Sequence, residues 1–226
     1  MKKTATLIAL AATAASANAA LVQWQTEVGT GTTASVTEFT TVSTPTTIAV
    51  GTTAGTAMSF EFIVNATDAG VATALLGDRD APANNQQSIR FEQYNNTGNY
   101  GITEFGGFGD QNSGVAVANG TDVHLLFTTD GTDTLLYVDG VLANTFTGQA
   151  IDISGTTGLG ADLRAGGAFT DTLNGDILGF AAYDSELTAG EALTHSNAFA
   201  AAAVPEPSST ALLGLGGLAL ILRRRK

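Results

Sequence analysis

An all-β, two-sheet antiparallel sandwich closed by one short C-terminal helix is the fold this sequence predicts. Three observations carry the prediction. Short apolar runs of period 2 recur from Met58 onward, two Asp-Gly pairs stand at hairpin spacing, and one late stretch, Leu187 to Phe199, has the spacing of a short helix. With 27 glycines, many threonines and no cysteine, the chain favours strands and tight turns held by packing rather than by disulfides.

The elements follow in order along the 226 residues. Met1-Lys2-Lys3, an apolar stretch from Ala5 to Ala15 and Ala17-Asn18-Ala19 form a basic, apolar and cleavage-site series, which predicts a signal peptide over residues 1–19. The apolar stretch is too short to span a bilayer, which takes roughly 20 apolar residues. Residues 20 to 203 then read as one domain. Its first part, 20 to 56, is Thr-rich, and Val36, Phe39, Val42, Ile48 and Val50 predict outer strands there.

From Met58 the pattern sharpens. Met58, Phe60, Phe62 and Val64 alternate with Ser59, Glu61, Ile63 and Asn65, which sets the first four on one face of a strand. Val71 to Leu76 predicts a second strand, Ile89 and Phe91 a third, and Tyr100, Ile102 and Glu104 a fourth that ends at Gly106-Gly107. Between Thr121 and Thr147, Asp130-Gly131 and Asp139-Gly140 divide three apolar runs into a meander, since Asp-Gly supplies the positive φ of a type I′ turn. Leu173 to Tyr183 predicts a last strand. In the helix that follows, Thr188 and Glu191 have capping-box spacing.

The C-terminus reads Val204-Pro205-Glu206-Pro207-Ser208, then an apolar run from Ala211 to Leu222, then Arg223-Arg224-Arg225-Lys226. A helix opened by Pro207 and running to about Leu222 would cover roughly 24 Å at 1.5 Å per residue. Snorkelling arginines and local thinning reconcile that length with a hydrocarbon core of about 30 Å. The four basic residues predict a membrane stop that leaves the domain outside. Motif, apolar run and basic end resemble the PEP-CTERM sorting signal over residues 204–226. The resemblance implies an exosortase-type processing enzyme as partner, membrane anchoring before processing, and a final place on the cell surface or in the extracellular matrix.

Composition excludes some functions. Between residues 20 and 203 stand Arg79, Arg90 and Arg164 against 20 of the 21 acids, Glu206 lying outside, a net of −17. Such a domain offers nucleic acid no counterion release. No thiolate is available for a metal, and two histidines this far apart make a weak case for zinc, so calcium with hard oxygen ligands is the favoured ion. Asp78 and Asp80, around Arg79, are the first candidates for calcium, and Asp130 and Asp133 the second; ordinary turn chemistry accounts for the same residues. Tyr94, Asn96 and Tyr100, in the stretch Tyr94-Asn95-Asn96-Thr97-Gly98-Asn99-Tyr100, and the stretch Phe105 to Gly109 combine aromatic and polar groups. They read either as a glycan platform or as loops folded back over the sandwich. His124 falls in an alternating strand, as a packed or surface residue, and His195 in the last helix, where it suits the negative C-terminal end. No Gly-x-Ser-x-Gly elbow is present.

The stretch Asp122 to Thr128 with Leu135-Leu136-Tyr137-Val138-Asp139-Gly140, the closing Leu173 to Phe180, Tyr183 and the helix opening Leu187-Thr188-Ala189-Gly190-Glu191 resemble the laminin G-like, concanavalin A-like jelly-roll family. The resemblance covers roughly residues 20 to 200 and implies a jelly-roll sandwich, with calcium or carbohydrate as ligand. Glucanases of that fold carry Glu-x-Asp-x-x-Glu or Glu-x-Asp-x-Glu on one strand. Here Glu61 is followed at the second position by Ile63 and Glu92 by Tyr94. The expected function is therefore a non-catalytic, exported envelope or matrix protein that binds glycan or exopolysaccharide, with a purely structural or adhesive protein as the alternative and a glycoside hydrolase third.

Overall fold

The computed structural model describes residues 42–79 and 86–203. The predicted signal peptide, the sorting tail and Asp80 lie outside these residues. Two sheets face each other. The larger has strands β1 (Thr46–Val50), β3 (Thr73–Asp78), β4 (Gln87–Glu92), β5 (Asn99–Glu104), β6 (Gly109–Ala116) and β10 (Gly155–Leu159), in the spatial order β1-β10-β3-β4-β5-β6. Two short strands, β11 (Asp162–Leu163) and β12 (Phe169–Thr170), extend it. The smaller sheet has β2 (Met58–Ala66), β7 (Val123–Thr129), β8 (Thr134–Val138), β9 (Val141–Phe146) and β13 (Gly175–Tyr183), in the order β13-β2-β7-β8-β9. Helix α1 (Ala189–Ala203) follows. All strand pairs are antiparallel except β11 with β3, which is parallel. The predicted two-sheet sandwich with one late helix is the fold observed.

The period-2 reading of β2 explains the layering. Met58, Phe60, Phe62 and Val64 enter the main core between the sheets, where Ile89, Phe91, Ile102, Leu125 and Phe127 meet them. The other face of β2 and its neighbours is also buried, because α1 covers it: Ile63, Leu126, Tyr137 and Tyr183 form a second core with Ala192 and Phe199 of the helix. The molecule thus has three backbone layers, helix, smaller sheet and larger sheet, with a core between each and the next, and burial of both faces leaves β7 without an exposed residue. Thr188 caps α1 as its spacing predicts. Its Oγ1 accepts the Glu191 N–H (3.3 Å), and Glu191 Oε2 accepts the Thr188 N–H (2.7 Å).

The structure differs from the sequence reading in several places. The second strand begins two residues later than Val71, which is 60% exposed. At Asp139-Gly140 both residues have positive φ (49° and 77°), the type I′ geometry expected. At the other tip only Gly131 does (φ 93°), because Asp130 to Asp133 form a wider loop. There Asp130 Oδ1 accepts the N–H groups of Thr132 and Asp133 (2.8 and 3.0 Å), hydrogen bonds of the kind turn aspartates make. Strands β6 and β10 to β12 were not foreseen. β6 reads Gly-Asp-Gln-Asn-Ser-Gly-Val-Ala and forms an edge with no fully buried residue, so it leaves no apolar alternation to read.

Among the described residues, no helix is long and apolar enough to cross a membrane.

Candidate functional site

The outer face of the larger sheet carries a cleft of about 750 Å³. Its floor comes from the residues of β4 and β5 that alternate with the core. Ile89, Phe91, Tyr100 and Ile102 point inward, so Arg90 and Thr103 point into the cleft. One end is walled by Tyr94, Asn95 and Asn96 in the β4–β5 turn, and the other by Phe105 and Gly106 in the β5–β6 turn. Five residue steps of β5 at about 3.3 Å separate the turns by roughly 17 Å, a trough suited to an extended chain.

The β4–β5 turn has a local cause. Asn95 and Asn96 both have positive φ (74° and 54°), which asparagine tolerates better than most residues. The turn leaves Tyr94 56% exposed. Below it, the buried Gln93 accepts the Tyr94 N–H (2.7 Å) through its Oε1 and donates from Nε2 to the carbonyls of Ile102 (2.8 Å) and Gln111 (2.9 Å). Gly101 leaves that space open: a Cβ there would lie 2.5 Å from both the Gln111 carbonyl and Gln93 Nε2.

The polar heart of the cleft is an arginine held between two carboxylates. Arg90 is 2% exposed; its Nη1 lies 2.7 Å from Asp171 Oδ2 and its Nη2 2.8 Å from Asp162 Oδ2. Arg79 reaches the same Asp171 oxygen at 3.5 Å. The Phe105 ring lies against both guanidiniums, 4.9 Å from that of Arg79 and 5.5 Å from that of Arg90. Asp162 is fully buried. Burial pushes its carboxyl up to about 6, although Arg90 and Ser88 pull the other way.

The residues singled out from sequence separate. Tyr94 and Asn96 both line the cleft. Tyr100 does not: it is a core residue with no exposed surface, edge-on to Phe91 (5.6 Å, 84°), and its hydroxyl accepts the Ala118 N–H (2.9 Å). Burial pushes that hydroxyl up to about 12. The signal was present, because Tyr100 shares its strand parity with the inward Ile102. Asp78 is 1% exposed at the end of β3, and among the described residues no group of three or more His, Asp or Glu side chains is gathered with metal-binding geometry. Arg79, Arg90 and Asp171 were missed as a set, since Arg90 and Asp171 are 81 residues apart and only the fold joins them.

A second buried cluster lies under α1. Glu61 Oε1 is 2.6 Å from His124 Nε2, and its Oε2 is 3.0 Å from His195 Nδ1 and accepts the Tyr183 hydroxyl at 2.9 Å. Burial alone would raise the Glu61 carboxyl, but the two imidazoles hold it down at about 2. His195 thus serves the helix through its flank and lies mid-helix, away from the C-terminal end the sequence suggested. His124 is wholly buried.

Comparison with known proteins agrees with this architecture. Residues 203–226 match the PEP-CTERM protein-sorting motif. Domain 4 of AbnA, a GH43 extracellular arabinanase from Geobacillus stearothermophilus solved with arabinotriose, is similar to the chain with a TM-score of 0.53 and 17% identity, over 66% of this chain and 72% of that one. The Ruminococcus gnavus IT-sialidase CBM40 bound to alpha2,3 sialyllactose gives 0.50 and 16%, over 62% and 83%. The NanB sialidase of Streptococcus pneumoniae gives 0.50 and 17%, over 66% of this chain but only 26% of the sialidase. No curated protein sequence matches significantly. Residues 37–192 match the Concanavalin A-like lectin/glucanases superfamily, so the chain, with its two facing sheets and late helix, belongs to that superfamily.

Proposed function

We propose that this is a non-catalytic glycan-binding protein of the cell envelope or extracellular matrix, and that polysaccharide lies in the cleft across β4 and β5. The observation that carries the reading is the cleft itself: an open sheet face with an exposed Tyr94 at one end, Phe105 at the other and hydrogen-bonding groups between them. The similar folds solved with arabinotriose and sialyllactose give it general support.

Export by a signal peptide over residues 1–19 and sorting by the tail at 204–226, with Val204 to Pro207 as the motif gripped by an exosortase-type enzyme, place the domain outside the cell in this reading. The matched sorting motif supports it. Absence of catalysis is supported by two features. The sequence has no glucanase carboxylate motif on Glu61 or Glu92, and the carboxyl with the raised pKa, Asp162, is buried beneath Arg90 rather than at the cleft surface.

The test is binding to a panel of polysaccharides by calorimetry or affinity electrophoresis. Tyr94→Ala and Phe105→Ala each weaken binding about tenfold, the equivalent of ~1.4 kcal/mol, with melting temperature little changed for Tyr94→Ala. Binding by the wild type that neither substitution alters removes the cleft from the account. Steady release of reducing sugar, abolished by one carboxylate substitution in the cleft, would make the protein a hydrolase.

The adhesive reading has one feature of its own. Val141 (66% exposed) and Leu142 (50%) stand on the edge strand β9, and Leu193 (48%) on α1, which packs against that strand, so exposed apolar side chains gather at a sheet edge. Concentration-dependent self-association abolished by Leu142→Lys would favour it.

A further inference from the structure

We infer that the cleft selects uncharged, hydroxyl-rich glycans and turns away those bearing carboxylates, such as uronate or sialate chains. This rests on the glycan-binding reading and narrows its ligand class.

The cations of the cleft are already engaged. Arg79 and Arg90 are the two basic side chains in its lining, and both meet Asp171, while Arg90 also meets the buried Asp162. The Phe105 ring lies against both guanidiniums. An acidic sugar at Arg90 would have to draw it from its partners, and at the more exposed Arg79 it would compete with Asp171. Taking Arg90 would strand the buried Asp162 and leave the part-exposed Asp171 with Arg79 alone.

Two further carboxylates of the lining each keep an oxygen for a donor, beside Tyr94, Asn95, Asn96 and Thr172, whose hydroxyls and amides donate as well as accept. Glu104 uses Oε2 for the Phe108 N–H (3.1 Å), and Asp110 uses Oδ1 for the Thr103 hydroxyl (2.8 Å). Their other oxygens call for donors. A sugar hydroxyl offers a donor as well as an acceptor; a ligand carboxylate offers only acceptors. Long-range charge works in the same direction. No lysine stands between residues 20 and 203, and the whole chain carries −12.

The experiment uses the full chain in detergent and measures binding to arabinan and laminarin as uncharged probes, and to polygalacturonate, alginate and 3′-sialyllactose as acidic ones, at one ionic strength. Binding to an uncharged probe at least about tenfold tighter than to every acidic probe supports the inference. Equal or tighter binding of an acidic probe overturns it and leaves the glycan-binding reading standing. Binding of none of the five overturns both. Asp171→Asn is the second arm. Asp171 has a φ of 51°, which asparagine accepts, and the change frees Arg79 and one face of Arg90. A rise of about tenfold in affinity for an acidic probe, with the melting transition still cooperative, supports the assignment of Asp171 as the excluding group. An unchanged preference in a folded variant overturns that assignment.

Discussion

Glu61 carries its negative charge where no solvent reaches, and three side chains hold it there. His124, His195 and Tyr183 all direct polar atoms at its carboxylate. Removing the carboxylate strands those groups, so Glu61→Ala is expected to lower stability by about 3–5 kcal/mol in urea denaturation, while Glu61→Gln, which keeps the shape and one acceptor oxygen, loses less. The pH dependence follows from the direction of each shift. Glu61 titrates at about 2 in the fold against an ordinary 4.5, so its contribution is complete above about 4.5 and is lost as pH falls toward 2. Asp162 acts in the opposite sense. Burial raises it from 3.8 to about 6, so the folded state holds a proton that the unfolded chain has released, and its component of stability increases as pH falls through 6 toward 3.8. Melting temperature measured from pH 8 to 2 therefore loses its low-pH fall in part in Glu61→Gln, and loses its gain below pH 6 in Asp162→Asn. Neither partnership was legible from sequence, because residues 61, 124 and 195 are far apart in the chain and no local pattern links them.

Helix α1 shows what local sequence does dictate. Thr188 and Glu191 fix where it starts, and its apolar residues Ala192 and Phe199 fix which side meets the smaller sheet. Its docking also depends on a distant turn. Gly140, at φ 77° in the β8–β9 turn, lies so close to the helix that a Cβ would sit 2.9 Å from the Leu193 Cα and 3.0 Å from the Ser196 Cβ. Gly140→Ala meets both backbone strain and this clash, and is expected to cost roughly 1–3 kcal/mol by chemical denaturation. The strands readable in advance, β2, β3, β4, β5, β13 and the β7–β8–β9 meander, each bury one apolar set in the main core or mark their turns with Asp-Gly. Those that were not, β6 and β10 to β12, are Gly-rich, short or at an edge, where ladder hydrogen bonds hold the strand and side-chain pattern is absent.

At the scale of the whole molecule, the two sheets have different surroundings. The helix lies over one outer face, and the cleft opens on the other. Sequence marked the ends of the cleft, because aromatic and asparagine residues in turns stand out, but its floor needed the fold to bring β4 beside the segment that carries Asp171. One covered face and one open face make each chain a single-handed binder in the proposed role. A lone domain in solution would coat a polysaccharide without cross-linking it, whereas many copies held on one surface would grip the same strand together. Retention on polysaccharide-coated beads should therefore climb steeply with the surface density of immobilised protein, and the free domain should compete with affinity unchanged by its concentration.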